Sequence, residues 1–192
     1  MAQTLFGDPA AYARVWSRYA VLLGGLTATV PTGNGAFTLN DGTTTNEWDA
    51  VGALADDSPF DDGTESIDAT PHTAAGFGRY ATTYANQTET VTFTAKETTL
   101  VTLGLVYDTS GLTDTAGTIQ GVLAQRDPSK KFLVAFHREN GTEIERRITK
   151  NFATIDSISR SFGNKESLYA VTLNVVPTGD KELYDYYLGP KA

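Results

Sequence analysis

Thr90-Val91-Thr92-Phe93-Thr94-Ala95-Lys96 alternates without a break: Val91, Phe93 and Ala95 fall on one side, Thr90, Thr92, Thr94 and Lys96 on the other. Successive side chains of an extended chain point to opposite faces, so this stretch reads as a strand with one packed face and one wet face. The pattern returns near the end of the chain, where Tyr169, Val171, Leu173 and Val175 share a face within 167–176. Residues 79–84, 118–125, 132–139 and 142–150 are β-prone as well. Several short strands separated by turn signals predict a mainly β chain, a sandwich or barrel.

Asn140-Gly141, between two of these runs, is a strong hairpin signal. A two-residue loop there sets Glu139 opposite Thr142, Arg138 opposite Glu143 and Leu133 opposite Ile148. One face then carries Leu133, Ala135 and His137 across from Ile144, Arg146 and Ile148; the other sets Phe132, Val134 and Phe136 against Glu145, Arg147 and Thr149. Neither face is uniformly apolar. The hairpin at 132–150 is therefore expected to lie on a neighbouring copy and to be dispensable for folding of its own subunit.

Elsewhere the local signals are weaker. Asp8-Pro9 is a good helix start, and Tyr12, Val15 or Trp16, and Tyr19 follow at helical spacing, so a short helix before Ser17 is expected. Residues 17–24 read equally as a strand. From 27 to 71 turn chemistry dominates (Pro31-Thr32-Gly33-Asn34-Gly35, Asn40-Asp41-Gly42, Asp61-Asp62-Gly63), which predicts a long acidic loop over about 31–70. Such a loop is uncommon in a compact domain unless it has a task, and an ordered partner would supply one. Residues 97–107 are ambiguous: Leu100, Leu103 and Tyr107 suit a helix, whereas Val101, Leu103, Leu105 and Tyr107 suit a strand. The threonines and Gly104 lower helix propensity there.

The 192 residues suit one domain, and a chain of this size buries about 70% of its unfolded surface without staples. It has no cysteine, which excludes disulfides and thiol chemistry. No secretion signal is visible at the start, and the longest uncharged apolar run, 19–26, is too short to span a bilayer. The net charge of −8 is unevenly placed. Residues 19–78 hold nine acids and no lysine or arginine, while 126–165 is rich in both, so copies with complementary lobes are one expectation.

Little chemistry is legible. Gly76-Phe77-Gly78-Arg79-Tyr80-Ala81 matches a dinucleotide fingerprint in letters, but it lacks the preceding strand and following helix. Asp56, Asp57, Asp61, Asp62 and Glu65 do not have EF-hand spacing and read as a solvated or inter-subunit acidic loop. His72 and His137 have no second histidine or cysteine at ligand spacing. No G-x-S-x-G elbow occurs, and an acidic chain lacks the broad basic footprint that phosphate binding requires. No catalytic residue, cofactor or metal is expected.

Trp48-Asp49-Ala50-Val51-Gly52-Ala53-Leu54-Ala55-Asp56-Asp57, followed by the strand 91–95 and by Glu97-Thr98-Thr99-Leu100, resembles the major tail (tail tube) proteins of long-tailed, non-contractile bacteriophages. The likeness extends to the closing Tyr169-Ala170-Val171-Thr172-Leu173. It implies a tail-tube-type β-sandwich, a strand over 17–24 and one short helix at about 97–107. It further implies hexameric rings stacked into a tube in the virion, with loops and a hairpin bridging copies. The tube would surround the tape measure protein, meet tail-end and terminator proteins, and conduct genomic DNA without sequence-specific binding. The inter-subunit candidates are Asp56, Asp57, Asp61, Asp62, Phe136, Arg138, Glu143, Arg146 and Arg147. A tail-end protein forming a single ring, or an unrelated β-sandwich binder using Trp48 and the acidic loop, are the alternatives.

Overall fold

A computed structural model describes residues 14–40, 47–55, 60–61, 63–74, 78–162 and 167–192. The chain is mainly β, built from antiparallel sheets with one short helix. Among the described residues no helix is long and apolar enough to cross a membrane.

In chain order the strands are β1 (Arg18–Gly24), β2 (Trp48–Ala50), β3 (Thr64–Ala74), β4 (Gly78–Ala95), β5 (Tyr107–Asp108), β6 (Leu112–Thr115) and β7 (Thr118–Gly121). They continue with β8 (Ala124–Gln125), β9 (Leu133–Glu139), β10 (Glu143–Thr149), β11 (Phe152–Phe162), β12 (Ser167–Val176) and β13 (Tyr184–Pro190). Sheet I has the order β13-β10-β9-β1-β2 and sheet II the order β11-β12-β4-β3. The apolar sides of the two alternating stretches meet sheet I. Val91, Phe93 and Ala95 of β4, with Tyr169, Val171, Leu173 and Val175 of β12, form one buried cluster with Val21, Val134 and Phe136. Sheet I has a second apolar face. There Leu22, Leu133, Ala135 and Ile148 pack around Trp48, whose indole N–H donates to the Thr29 carbonyl at 2.8 Å.

This second face corrects the reading of the hairpin. Leu133 to Phe136 are all buried, because β9 runs through the middle of sheet I between β1 and β10 with apolar cover on both sides. The register also differs: Ile144 pairs with Glu139 and Ile148 with Ala135, two residues from the expected partners. A type I′ loop needs φ > 0 at both central residues, but only Gly141 is there, at φ 93°. Instead the Asn140 side-chain carbonyl accepts from the N–H of Glu143 at 2.9 Å, and the Asn140 N–H donates to the Glu143 carbonyl at 3.2 Å, which widens the turn. A shift of two preserves side-chain facing, so the expected face composition stands. The tight turn with both φ positive lies at Ala116-Gly117, between β6 and β7.

The helix α1 spans Leu100–Val106. It forms despite its threonines because two of them cap it: the Thr99 hydroxyl accepts from the Thr102 N–H at 3.2 Å, and the Thr102 hydroxyl accepts from the Thr99 N–H at 2.8 Å. The helix expected before Ser17 falls largely outside the described residues, and 14–17 carry no regular structure. The long loop is corrected as well: 64–74 is the strand β3, and 39, 54 and 60 make isolated bridges. Its sequence is polar on both faces, so no alternation marked it. Residues 79–84 and 90–95 belong to one strand, β4, with Lys96 just past its end, and 118–125 divides into β7 and β8.

Candidate assembly surfaces

The five hairpin candidates have partners in their own chain. Phe136 is 4% exposed and its ring meets Phe60 in a tilted pair with centroids 5.5 Å apart. Glu145, nearly buried, accepts from Arg138 through Nε at 2.8 Å and Nη2 at 2.7 Å, with Arg147 Nε 3.7 Å away. Glu143 pairs with Arg14 at 3.1 Å. Arg146 is 7% exposed; its Nη1 donates to the carbonyls of Gly33 (3.3 Å) and Gly35, its Nε donates to His137 Nδ1 at 3.2 Å, and its guanidinium lies over the Phe37 ring. Burial lowers the pKa of both Arg146 and His137; for His137 the neighbouring Arg146 charge acts in the same direction. These charges thus tie the 31–37 segment and the hairpin to one subunit. Of the acidic candidates, Asp61 is exposed and its N–H donates to the Thr92 carbonyl at 2.7 Å. Asp56, Asp57 and Asp62 lie outside the described residues.

The surface that sequence reasoning missed is the ribbon of β3 and β4. The inner part of β4, from Glu89 to Ala95, pairs with β12. Beyond it, β4 has β3 as its only strand partner among the described residues, out to Ala74 opposite Gly78. At about 3.4 Å per residue this two-stranded arm runs on the order of 30 Å past the sheet. Ala69 to Thr73 are all exposed on it. Pro71, which has no N–H to donate, sits where only an edge strand tolerates it. The length of this polar run between turn signals was the available clue.

Sheet edges and one flat face remain. In sheet I the edge strand β13 carries Tyr186 and Leu188, both exposed. The outer face of sheet II bears three successive cross-strand rows: Thr154, Asn174, Thr90 and Thr64; Ser157, Thr172 and Thr92; Ser159, Ala170 and Thr94. None of these residues is charged, and Thr92 and Thr172 share a hydrogen bond at 3.2 Å.

Catalytic features are sparse. Among the described residues no group of three or more His, Cys, Asp or Glu side chains is arranged to hold a metal ion. Gly78 to Ala81 of the letter-match fingerprint lie in the strand β4, which has no helix N-terminus to receive a pyrophosphate. The Tyr184 hydroxyl donates to Glu89 at 2.7 Å, and burial, then this carboxylate, raises the phenol pKa strongly. Together they form a strut between sheets I and II. No protein-family model matches this chain, and no curated protein matches it.

Proposed function

We propose that this protein is a structural subunit that assembles with copies of itself, in the manner of a phage tail tube protein. Rings, six-fold by the resemblance, stack into a tube that surrounds a tape measure protein and later conducts DNA. The observation that carries this proposal is the arm of β3 and β4. A two-stranded ribbon alone in water is marginally stable, and its unpaired edges are an aggregation hazard unless a partner covers them. A second copy, repeated by rotational symmetry, covers every arm in the same way and turns the hazard into an assembly rule. The uncharged rows on sheet II suit a conduit wall, since hydroxyls offer a phosphate no ion pair.

Negative-stain electron microscopy of the purified chain tests the proposal, with stacked rings or tubes as the expected result. Replacing 66–87 by a short Gly-Ser turn should leave a monomer with an unchanged unfolding midpoint and no tubes. A wild-type chain that stays monodisperse at high concentration, or an arm-deleted chain that still polymerises, would refute it.

A further inference from the structure

Most cations of the basic segment 126–165 are used inside the chain. Arg138 and Arg147 meet Glu145, Arg146 meets backbone carbonyls, Lys150 meets Glu182 and Asp185, and Arg160 donates to the Tyr107 hydroxyl. Among the described residues three remain, Arg126, Lys130 and Lys131, all on the loop that precedes β9. None makes a salt bridge within the described residues; Asp127 and Asp108 act on Arg126 and Lys130 only at longer range, and Lys131 lies over the Phe152 ring at 4.2 Å. The loop has a defined shape, because the Asp127 carboxylate accepts from both the N–H and the hydroxyl of Ser129, at 2.8 and 2.7 Å.

All three residues line one cavity of about 580 Å³ between α1, the end of β1 and the loop. Its floor is apolar, formed by Leu23, Leu100, Val101, Leu105, Phe132 and Ile155. Asp49 also lines the cavity, and its carboxylate accepts from Asn40 Nδ2 at 2.9 Å. Cavities of this size accept a small molecule. An apolar lining releases water on contact with hydrocarbon, and three lining cations against two carboxylates that already accept hydrogen bonds favour a negative head group.

We propose that this cavity binds a small amphipathic anion, an apolar body of about a dozen non-hydrogen atoms ending in a carboxylate or phosphate. The site is complete within one subunit and does not rest on tube assembly. Gly104 offers a clean control. It lines the cavity from α1, and a Cβ there meets nothing closer than Thr109 Oγ1 at 3.6 Å, so Gly104→Leu fills the space while raising helix propensity. Gly25→Leu is a second blocking variant, since a Cβ at Gly25 meets nothing within 4 Å.

Isothermal titration calorimetry with decanoate, decyl phosphate and decanol reads the outcome. One anion per chain is expected, with decanol at least tenfold weaker. Comparing the two anions separates carboxylate from phosphate as the preferred head group, and either one exceeding decanol supports the site. The combined variant Arg126→Gln, Lys130→Gln, Lys131→Gln should bring anion and alcohol within about threefold, a loss of some 0.7 kcal/mol or more of discrimination. Either leucine variant should abolish binding at an unchanged or higher melting temperature. No saturable binding at millimolar decanoate, equal binding of decanol, or binding that persists in both folded leucine variants would overturn the proposal.

Discussion

Replacing Phe136 by alanine should cost about 3–5 kcal/mol of folding stability. The ring is 4% exposed, pairs across β1 with Val21 and across β10 with Arg147, and touches Phe60. Truncation removes the transfer free energy of the ring and leaves a cavity between two sheets, each stiffened by hydrogen-bonded neighbours. The surroundings can collapse only partly, which sets the cost above the transfer term alone. With a urea m-value of about 2 kcal/mol/M for a chain of this length, the unfolding midpoint should fall by about 2 M at constant m. Urea titration followed by tryptophan fluorescence reads this directly, since Trp48 packs on the far face of sheet I. A loss below about 1 kcal/mol would refute the placement of the hairpin in the intrinsic core. It would restore the alternative in which 132–150 lies on a neighbouring copy.

Three further outcomes are expected. Arg146→Ala should destabilise the fold by about 2 kcal/mol in the same titration, because the buried Arg146 side chain is lost and the part-buried Gly33 and Gly35 carbonyls lose a charged donor. His137 has a folded-state pKa lowered from the ordinary 6.5, so the unfolded chain binds more protons in mild acid. Stability should therefore fall as pH drops below about 6.5, and His137→Gln should flatten that slope in urea midpoints measured between about pH 5 and 7. Ala116 sits at φ 51° in the tight β6–β7 turn, and Ala116→Asn should raise stability by about 0.5–1 kcal/mol, read as a rise in melting temperature.

The alternating strands were legible because their packed faces are chemically uniform: 90–96 and 167–176 each bury one side only. The hairpin was misread for a physical reason. Arg146 stands at an apolar position of sheet I, and its guanidinium is satisfied by carbonyls more than a hundred residues earlier in the chain. No local pattern carries such a contact. β3 escaped because Thr64 to Ala74 holds a single large aliphatic residue, Ile67, so a period of two has nothing to display. The helix α1 was expected at about 97–107 from the resemblance, and a local signal stood beside it: Thr99 and Thr102 have the spacing of a capping box, with a hydroxyl in place of the usual carboxylate. Of the candidate site, the hairpin charges were legible as residues but not as internal partners. The β3–β4 arm was legible only as an unexplained length of polar chain.

Self-association of a chain with net charge −8 needs contacts that do not depend on opposite charges. Two such chains with centres about 40 Å apart repel by on the order of 7 kcal/mol in water before screening. Several arginines that a complementary lobe would offer are engaged within their own subunit, Arg138 and Arg147 by Glu145 and Arg146 by backbone carbonyls. What the proposed interfaces present is largely uncharged strand: the exposed stretch Ala69 to Thr73, in which His72 is the one titratable residue, and the threonine and serine rows of sheet II, with Asp68 and Arg79 as the charged residues of the 66–87 arm. Screening should then help assembly. Raising monovalent salt from about 10 to 150 mM shortens the Debye length from about 30 to 8 Å, and the concentration needed for polymers should drop several-fold, read by sedimentation or light scattering. Polymers that dissolve across that range would show that opposite charges between copies hold the contact, and the acidic stretch of 19–78 would become the surface to mutate.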